Sequence, residues 1–165
     1  MSTAAERAAL VARQGPGARY DAPEAPSDAL LLARRGTAYF ARVLNGLSDA
    51  DLMERHHAKV VAGIGYHGRS LAEHLAALRE DAPVPEARHE HEAISLPARA
   101  LRGLFQHAAI HLDVEWRDLP GDIWAVEVPG LGMSAAQTPL ARAEAVWQAS
   151  LRLGGRVRDL PPAFR

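Results

Sequence analysis

A carboxylate and an amide stand at helical spacing among apolar residues near the end of the chain, at residues 140–153. Four residues recur at alternating steps of four and three and are predicted to share one helical stripe: Leu140, Glu144, Trp147 and Leu151. Gln148 borders that stripe, one turn after Glu144. A carboxylate buried in such a stripe needs a cation, a proton or a hydrogen-bond donor nearby. The alternative is that Glu144 lies at the edge of a bundle and reaches water.

Histidines provide the second group of candidate residues. In residues 59–78 a helical stripe is formed by Val60, Ile64, His67, Leu71, His74 and Leu78. His67 and His74 are therefore predicted to lie on the inward face of this helix, two turns apart. Gly63 and Gly65 in the same helix are expected to allow close packing or to leave room for a ligand.

Four further histidines form two pairs at short spacing. His107 and His111 are one turn apart in a predicted helix, which is a spacing that zinc sites use, although a single pair is weak evidence. His89 and His91 fall in a charged loop, where a solvated position is expected rather than a metal site.

The composition excludes several classes of function. The 165 residues carry a net charge of -1, whereas a nucleic-acid-binding protein needs a basic excess. The chain has no cysteine, so disulfides, thiolate metal ligands and a cysteine nucleophile are excluded. No long apolar run and no signal segment is apparent, so we expect a cytoplasmic protein without membrane contact.

The elements that position these residues are four helices. They are predicted from Ser27 to about Asn45, from Ser48 through residues 59–78, over 95–117, where Ser95 is the expected cap, and from Thr138 onward. Residues 123–128 and 131–137 are predicted to form a small β-hairpin between helices three and four. The expected fold is an all-α, up-down four-helix bundle over residues 27–165, preceded by an arm or linker at residues 1–26.

Three segments resemble the mycothiol-dependent maleylpyruvate isomerase family. They are HAAIHLDVEWRDLPGDIWAVEV at residues 107–128, AGIGYHGRSL at residues 62–71 and DLPPAF at residues 159–164. The resemblance covers most of the chain from about Leu30 onward. It implies a DinB-like four-helix bundle, which in this family is the amino-terminal domain and binds a divalent metal, usually zinc.

The family's metal ligands are largely replaced in this chain. The resemblance places the histidine ligand of the second helix at Gly63, the glutamate ligand at Glu144 and the last histidine ligand at Gln148. The usual proline-glycine-tryptophan loop before the second helix and the carboxy-terminal domain of the full-length isomerase are also missing. We therefore predict no metal cofactor. Zinc or another divalent metal, held by His67 with His107 or His111, is the alternative.

The function predicted from these features is a metal-independent small-molecule enzyme that isomerises or cyclises an unsaturated or keto-acid-like substrate. His67 would be the acid/base and Glu144 its orienting partner, with Gln148 and Arg69 on the oxygens of the substrate. Tyr66, His107 and His111 match the family pattern and are assigned to the pocket. A packing role for Tyr66 and a structural role for His107 and His111 are the alternatives.

Two other hypotheses stay open at this point. One is a non-catalytic binding or interaction protein on the same bundle. The other is a mycothiol-dependent isomerase or thiol transferase with a rebuilt metal site. Bundles of this kind often pair, so a homodimer is also an open alternative.

Overall fold

The computed structural model describes residues 20–87 and 95–165, together with Ala5, Ala8, Ala9 and Ala12. His89, His91 and most of the predicted arm at residues 1–26 lie outside the described residues. Five α-helices are present in the described part: α1 Ser27–Asn45, α2 Asp49–Met53, α3 Arg55–Glu80, α4 Ala98–Asp118 and α5 Thr138–Arg152. Two short strands, β1 Glu127–Val128 and β2 Met133–Ser134, pair antiparallel between α4 and α5. The predicted all-α fold with a small hairpin is confirmed.

The four long helices do not alternate strictly in direction. Gly65 packs on Leu104 and Arg79 bonds Glu115, so α3 and α4 run parallel. The backbone carbonyl of Arg152 lies 3.2 Å from Nε2 of His56, which makes α5 antiparallel to α3. The order is therefore up, down, down, up for α1, α3, α4 and α5, and the simple up-down alternation must be corrected.

Around the bundle, α1 packs on α5, α5 on α3, α3 on α4 and α4 on α1. The first and second long helices are thus diagonal to each other, as are the third and fourth. The interior is filled by large apolar side chains that are essentially inaccessible to solvent: Leu30, Phe40, Leu75, Leu101 and Leu112. The rings of Phe40 and Phe105 meet with centroids 4.6 Å apart, joining α1 to α4.

The helix ends agree with the sequence in some places and differ in others. Ser48 accepts a hydrogen bond from the backbone N–H of Asp51 at 3.1 Å, so the cap predicted there is confirmed. The single segment predicted to follow it is interrupted at Glu54, which separates α2 from α3. The cap predicted at Ser27 is wrong, because α1 begins at that residue after Pro26 without a side-chain cap. Likewise α4 begins only after Pro97, two residues beyond the cap expected at Ser95.

The hairpin is shorter than the alternating pattern suggested. The segment Gly121–Ile123 forms a 3-10 turn, so only two residues of the predicted first strand pair with β2. The segment Ala135–Gln137 is a second 3-10 turn that leads into α5. Val128 is fully buried, which anchors the hairpin to the bundle. No helix in the described residues has the length and apolarity needed to cross a membrane.

Part of the predicted arm packs against the bundle. The carboxylate of Asp21 accepts two hydrogen bonds from Arg34 of α1, at 2.6 and 2.7 Å, and Arg34 also donates to Asp113 of α4 at 2.7 Å. Ala25 is buried in the core. Residues 21–25 therefore continue the packed domain on its amino-terminal side.

Candidate functional site

Two glycines bring α3 close to both of its neighbours. A Cβ atom at Gly65 would stand 2.6 Å from Cγ of Leu104 in α4, and one at Gly68 would stand 3.0 Å from an NH2 nitrogen of Arg142 in α5. Any larger residue would push the helices apart, so these positions depend on the missing side chain. The contact at Gly68 places a guanidinium group directly against the backbone of α3.

Arg142 is the most deeply buried charged side chain in the described part of the protein, with 1% of its surface exposed. Its NH1 nitrogen donates to the backbone carbonyl of Ile64 at 2.8 Å and lies 3.2 Å from Nδ1 of His67. Its Nε and NH2 groups have no hydrogen-bond acceptor among the described residues, and no carboxylate there is within ion-pair distance. Buried charges are normally paired, so this arrangement is unusual.

Burial lowers the pKa of Arg142 to about 10, so the guanidinium still carries its charge at neutral pH. Burial and the neighbouring charge of Arg142 lower the pKa of His67 to about 4, so its imidazole is neutral at the same pH. A guanidinium can only donate hydrogen bonds, and Nδ1 of His67 must therefore be the acceptor nitrogen. This fixes the proton of the neutral ring on Nε2. His67 is consequently a hydrogen-bond donor through Nε2, for which the described residues offer no acceptor.

The surroundings of His67 include open space. A Cβ atom at Gly63, one turn before His67 on α3, would meet no atom within 4 Å. Gly63 thus leaves a gap beside the half-buried imidazole. We refer to Gly63, His67 and Arg142, with the carbonyl of Ile64, as the α3–α5 seam. It combines a buried positive charge, a neutral donor and open space beside Gly63.

Glu144 does not belong to the interior of this seam. The structure leaves Glu144 exposed, and the hydrogen bond of His67 is made with Arg142. The predicted stripe on α5 was therefore wrong, since Leu140 is also exposed and only Trp147 of its members is buried. The residues of α5 that are buried are Thr138, Pro139, Arg142, Ala143, Val146, Trp147, Ala149 and Ser150. The helix is rotated relative to the prediction because Trp147 packs on Tyr39 of α1 and donates to the carbonyl of Leu32.

Gln148 is half-buried and faces the end of the chain. Its Nε2 group donates a hydrogen bond to the backbone carbonyl of Phe164 at 3.2 Å. This contact attaches the last residues to α5. In the described structure the amide therefore fixes the carboxy-terminal segment rather than projecting towards His67.

Solved structures provide the comparison that bears on this site. No protein-family model and no curated protein sequence matches the chain significantly. Two crystal structures do match, those of the mycothiol-dependent maleylpyruvate isomerase and of a point mutant of it, each with a TM-score of 0.75 and 26% sequence identity. The superposition covers 84% of this chain and 65% of theirs. The chain is a structural relative of the mycothiol-dependent maleylpyruvate isomerases.

The DinB-like fold expected from the sequence is therefore confirmed by this relationship. The chain spans about two thirds of the length of the isomerase structures, which carry additional residues beyond the shared fold. At 26% identity over 65% of the length of those structures, the activity, the substrate and the mechanism of this chain are matters for a proposal.

The residues at the metal-ligand positions implied by the family resemblance do not fit a divalent metal. Gly63 has no side chain, Glu144 is exposed, and the amide nitrogen of Gln148 is already donating to a carbonyl. Within residues 20–87 and 95–165 no three histidine, aspartate or glutamate side chains converge as a metal site would require. The alternative metal hypothesis pairs His67 with His107, but His67 meets Arg142 of α5, whereas His107 of α4 lines a groove between α3 and α4. The single exposed carboxylate of Glu144 is too weak a donor set for zinc.

The other predicted pocket residues gather on the opposite side of α3, in a groove against α4. This groove has a volume of about 540 Å³, and Tyr66, Arg69 and His107 are among its lining residues. The guanidinium of Arg69 lies 5.8 Å from the ring centroid of Tyr66. His111 is exposed, with Nε2 3.5 Å from an oxygen of the buried Glu115. The predicted site residues therefore divide between two faces of α3, and the structure does not bring them into one pocket.

Arg142 is the site residue that sequence reasoning missed. It lies in an alanine-rich helix, next to polar residues that are typical of a solvent-exposed face. Arginine side chains are rarely buried in a protein interior. The signal that could have found it is Gly68, since a glycine in the middle of a long helix indicates a close approach by a neighbour. The identity of that neighbour is visible only in three dimensions.

Proposed function

We propose that this protein is a small-molecule enzyme that isomerises an unsaturated, keto-acid-like substrate at the α3–α5 seam. The proposal depends chiefly on one observation, the contact of His67 with the buried guanidinium of Arg142, which no carboxylate compensates among the described residues. It is supported by the structural relationship to an isomerase. In this proposal His67 stays the catalytic residue, but it acts as a hydrogen-bond donor and not as the acid/base predicted from the sequence, and its orienting partner is Arg142 and not Glu144.

Arg142 contributes an electrostatic field rather than a direct contact with the substrate. Its charge is not neutralised by any described carboxylate, so a positive potential extends into the gap beside Gly63. A positive potential in a low-dielectric cleft concentrates anions. This favours substrates that carry a carboxylate.

His67 acts in this proposal as a preorganised hydrogen-bond donor. Its Nε2–H would donate to the keto oxygen of the substrate, where negative charge develops during the reaction. Stabilising that charge draws electrons from a conjugated double bond and lowers the barrier to isomerisation about it. Because Nδ1 accepts the hydrogen bond of Arg142, the imidazole ring cannot flip by 180° without losing that bond.

No step of the proposed reaction passes through a metal, because the side chains at the metal-ligand positions do not fit one. The solved isomerase is named as mycothiol-dependent. A thiol co-substrate for this chain is therefore a part of the proposal that can be tested directly, by omitting or adding mycothiol.

The experiment is a turnover assay of the full chain with maleylpyruvate, with and without mycothiol. Replacing His67 with alanine should lower the rate about 10²–10³-fold, as removal of a preorganised donor does in other enzymes. Glu144→Gln is the matched control on the exposed face of α5 and should keep most of the activity. A His67→Ala variant with an unchanged rate would remove His67 from the mechanism.

A non-catalytic binding protein is the second candidate. The observation that favours it is the replacement of two of the three metal-ligand positions by Gly63 and Gln148. In that case maleylpyruvate or a related keto acid would bind in an Arg142-dependent manner and would be recovered unchanged, with and without mycothiol.

A further inference from the structure

A second cleft lies between α1 and the segment that follows α5. It has a volume of about 850 Å³ and is bounded by Arg35, Tyr39 and Arg42 on one side and by residues 153–156 and Asp159 on the other. It shares no lining residue with the α3–α5 seam. A volume of this size accommodates a small organic ligand.

The wall formed by the carboxy-terminal segment is held in place by hydrogen bonds. The hydroxyl of Tyr39 donates to Asp159 at 3.0 Å and accepts from the backbone N–H of Arg156 at 2.9 Å. Nε of Arg156 donates to the same carboxylate oxygen at 3.0 Å. A Cβ atom at Gly155 would stand 3.1 Å from the ring of Tyr39, so the segment passes close to α1. The cleft is therefore built by fixed contacts on both sides.

The charge of the cleft is strongly positive for a chain with a net charge of -1. Three arginines line it, and its single acidic residue, Asp159, is already engaged by Tyr39 and Arg156. Arg35 and Arg42 are exposed and make no ion pair with any described residue. The hydrogen bond from Tyr39, followed by that from Arg156, lowers the pKa of Asp159, so its charge offsets only one of the three arginines.

The two unpaired arginines are arranged along one face of α1. They are seven residues apart, which is two turns or about 10 Å along the helix. Between them the lining is apolar or aromatic, with Ala38 and Tyr39 from α1 and Trp147 from α5. The guanidinium of Arg42 lies 5.4 Å from the centroid of the Tyr39 ring. Two cationic ends thus flank an apolar middle.

We propose that this cleft binds a small organic dianion whose two acidic groups stand at opposite ends of an apolar body. Arg35 and Arg42 would each bind one acidic group, since a guanidinium pairs with carboxylates and phosphates through two parallel hydrogen bonds. The apolar body of the ligand would lie over Ala38 and the ring edges of Tyr39 and Trp147. A nucleic acid is disfavoured as the occupant, because the positive surface is confined to a few residues.

Isothermal titration calorimetry with defined probes tests the proposal. Terephthalate carries two carboxylates at opposite ends of a ring, 4-carboxyphenyl phosphate replaces one of them by a phosphate, and benzoate carries a single carboxylate. We expect at least one of the two dianions to bind at least about tenfold more tightly than benzoate, because each charge-assisted hydrogen bond is worth about a tenfold change in affinity. The tighter of the two identifies the acidic group that the cleft prefers.

Variants assign the binding to this cleft. Arg35→Gln combined with Arg42→Gln should weaken the preferred dianion by at least about tenfold, whereas Arg55→Gln, at an exposed arginine of α3, should leave it unchanged. Ala38→Trp, which fills the cleft without altering its charge, should have the same effect as the double variant. Circular dichroism checks that each variant is folded. Equal affinities for benzoate and both dianions, no binding of either dianion, or full binding by the double variant would each overturn the proposal.

Discussion

The two interfaces of α3, with α4 and with α5, differ in whether the buried arginine is paired with a carboxylate. Against α4, Arg79 donates to both oxygens of Glu115, at 3.1 to 3.4 Å, and the nearly inaccessible carboxylate is neutralised. Against α5, Arg142 is buried more deeply than Arg79 and faces a histidine and a carbonyl instead of a carboxylate. A bundle held only by packing has no need for the second arrangement, because a buried unpaired charge costs stability. The proposed function accounts for this difference, because it assigns a ligand site to the α3–α5 seam and a stabilising ion pair to the α3–α4 interface.

Replacing each arginine with methionine should separate the two roles, and the largest effect is expected on turnover. Arg142→Met should reduce the turnover of maleylpyruvate about 10²-fold, because the field behind His67 and the bond to Nδ1 are lost. Arg79→Met removes the same chemical group from the other interface and should leave turnover close to that of the wild type. Equal rates in the two variants would mean that the seam has no special function.

The acid sensitivity of folding should also come from the seam. The folded-state pKa of His67 is about 4, below its ordinary value of 6.5, so the unfolded chain binds the proton more readily. The contribution of the neutral His67 ring to the free energy of unfolding is therefore complete above about pH 6.5. It is lost as the pH falls towards 4, by up to about 3 kcal/mol. Urea unfolding at pH 7.0 and 4.5 measures this loss. In His67→Gln the loss should shrink by that amount, and identical losses in the two proteins would contradict the assignment.

Stability should be affected in the opposite order to turnover, with a larger loss in Arg79→Met than in Arg142→Met. Arg79→Met leaves the carboxylate of Glu115 buried with only the weakly placed His111, which should cost about 2 kcal/mol. Arg142→Met removes an uncompensated charge together with its hydrogen bonds, so we expect a change within about 1 kcal/mol. Chemical denaturation at neutral pH compares them. A larger loss in Arg142→Met would show that this arginine is mainly structural.

The smallest effect is expected at Glu144. Because its side chain is exposed, Glu144→Gln should change the free energy of unfolding by less than about 0.5 kcal/mol and leave the pKa of His67 where it is. Titration of the His67 ring protons by NMR in the two proteins provides the check. A shift of that pKa in the variant would restore the His67–Glu144 pair predicted from the sequence.

The sequence predicts the helices of this protein well and its candidate site only in part. Apolar periodicity and the Ser48 cap define the elements, since each depends on residues close together in the chain. The rotation of α5 depends on a distant contact, between Trp147 and α1, and two leucines at helical spacing pointed to the wrong face. His67 was found because it lies on an apolar stripe of its own helix. Arg142 could not be found in this way, since its partners come from another part of the chain.

The most direct test of the account is the protonation state of the His67 ring at pH 7, measured by nitrogen-15 NMR of the imidazole. We predict a neutral ring with its proton on Nε2 and a bare Nδ1, and an Nε2 signal that moves when maleylpyruvate is added. A protonated ring, a proton on Nδ1, or an Nε2 signal that is unchanged while maleylpyruvate is being converted would contradict the account.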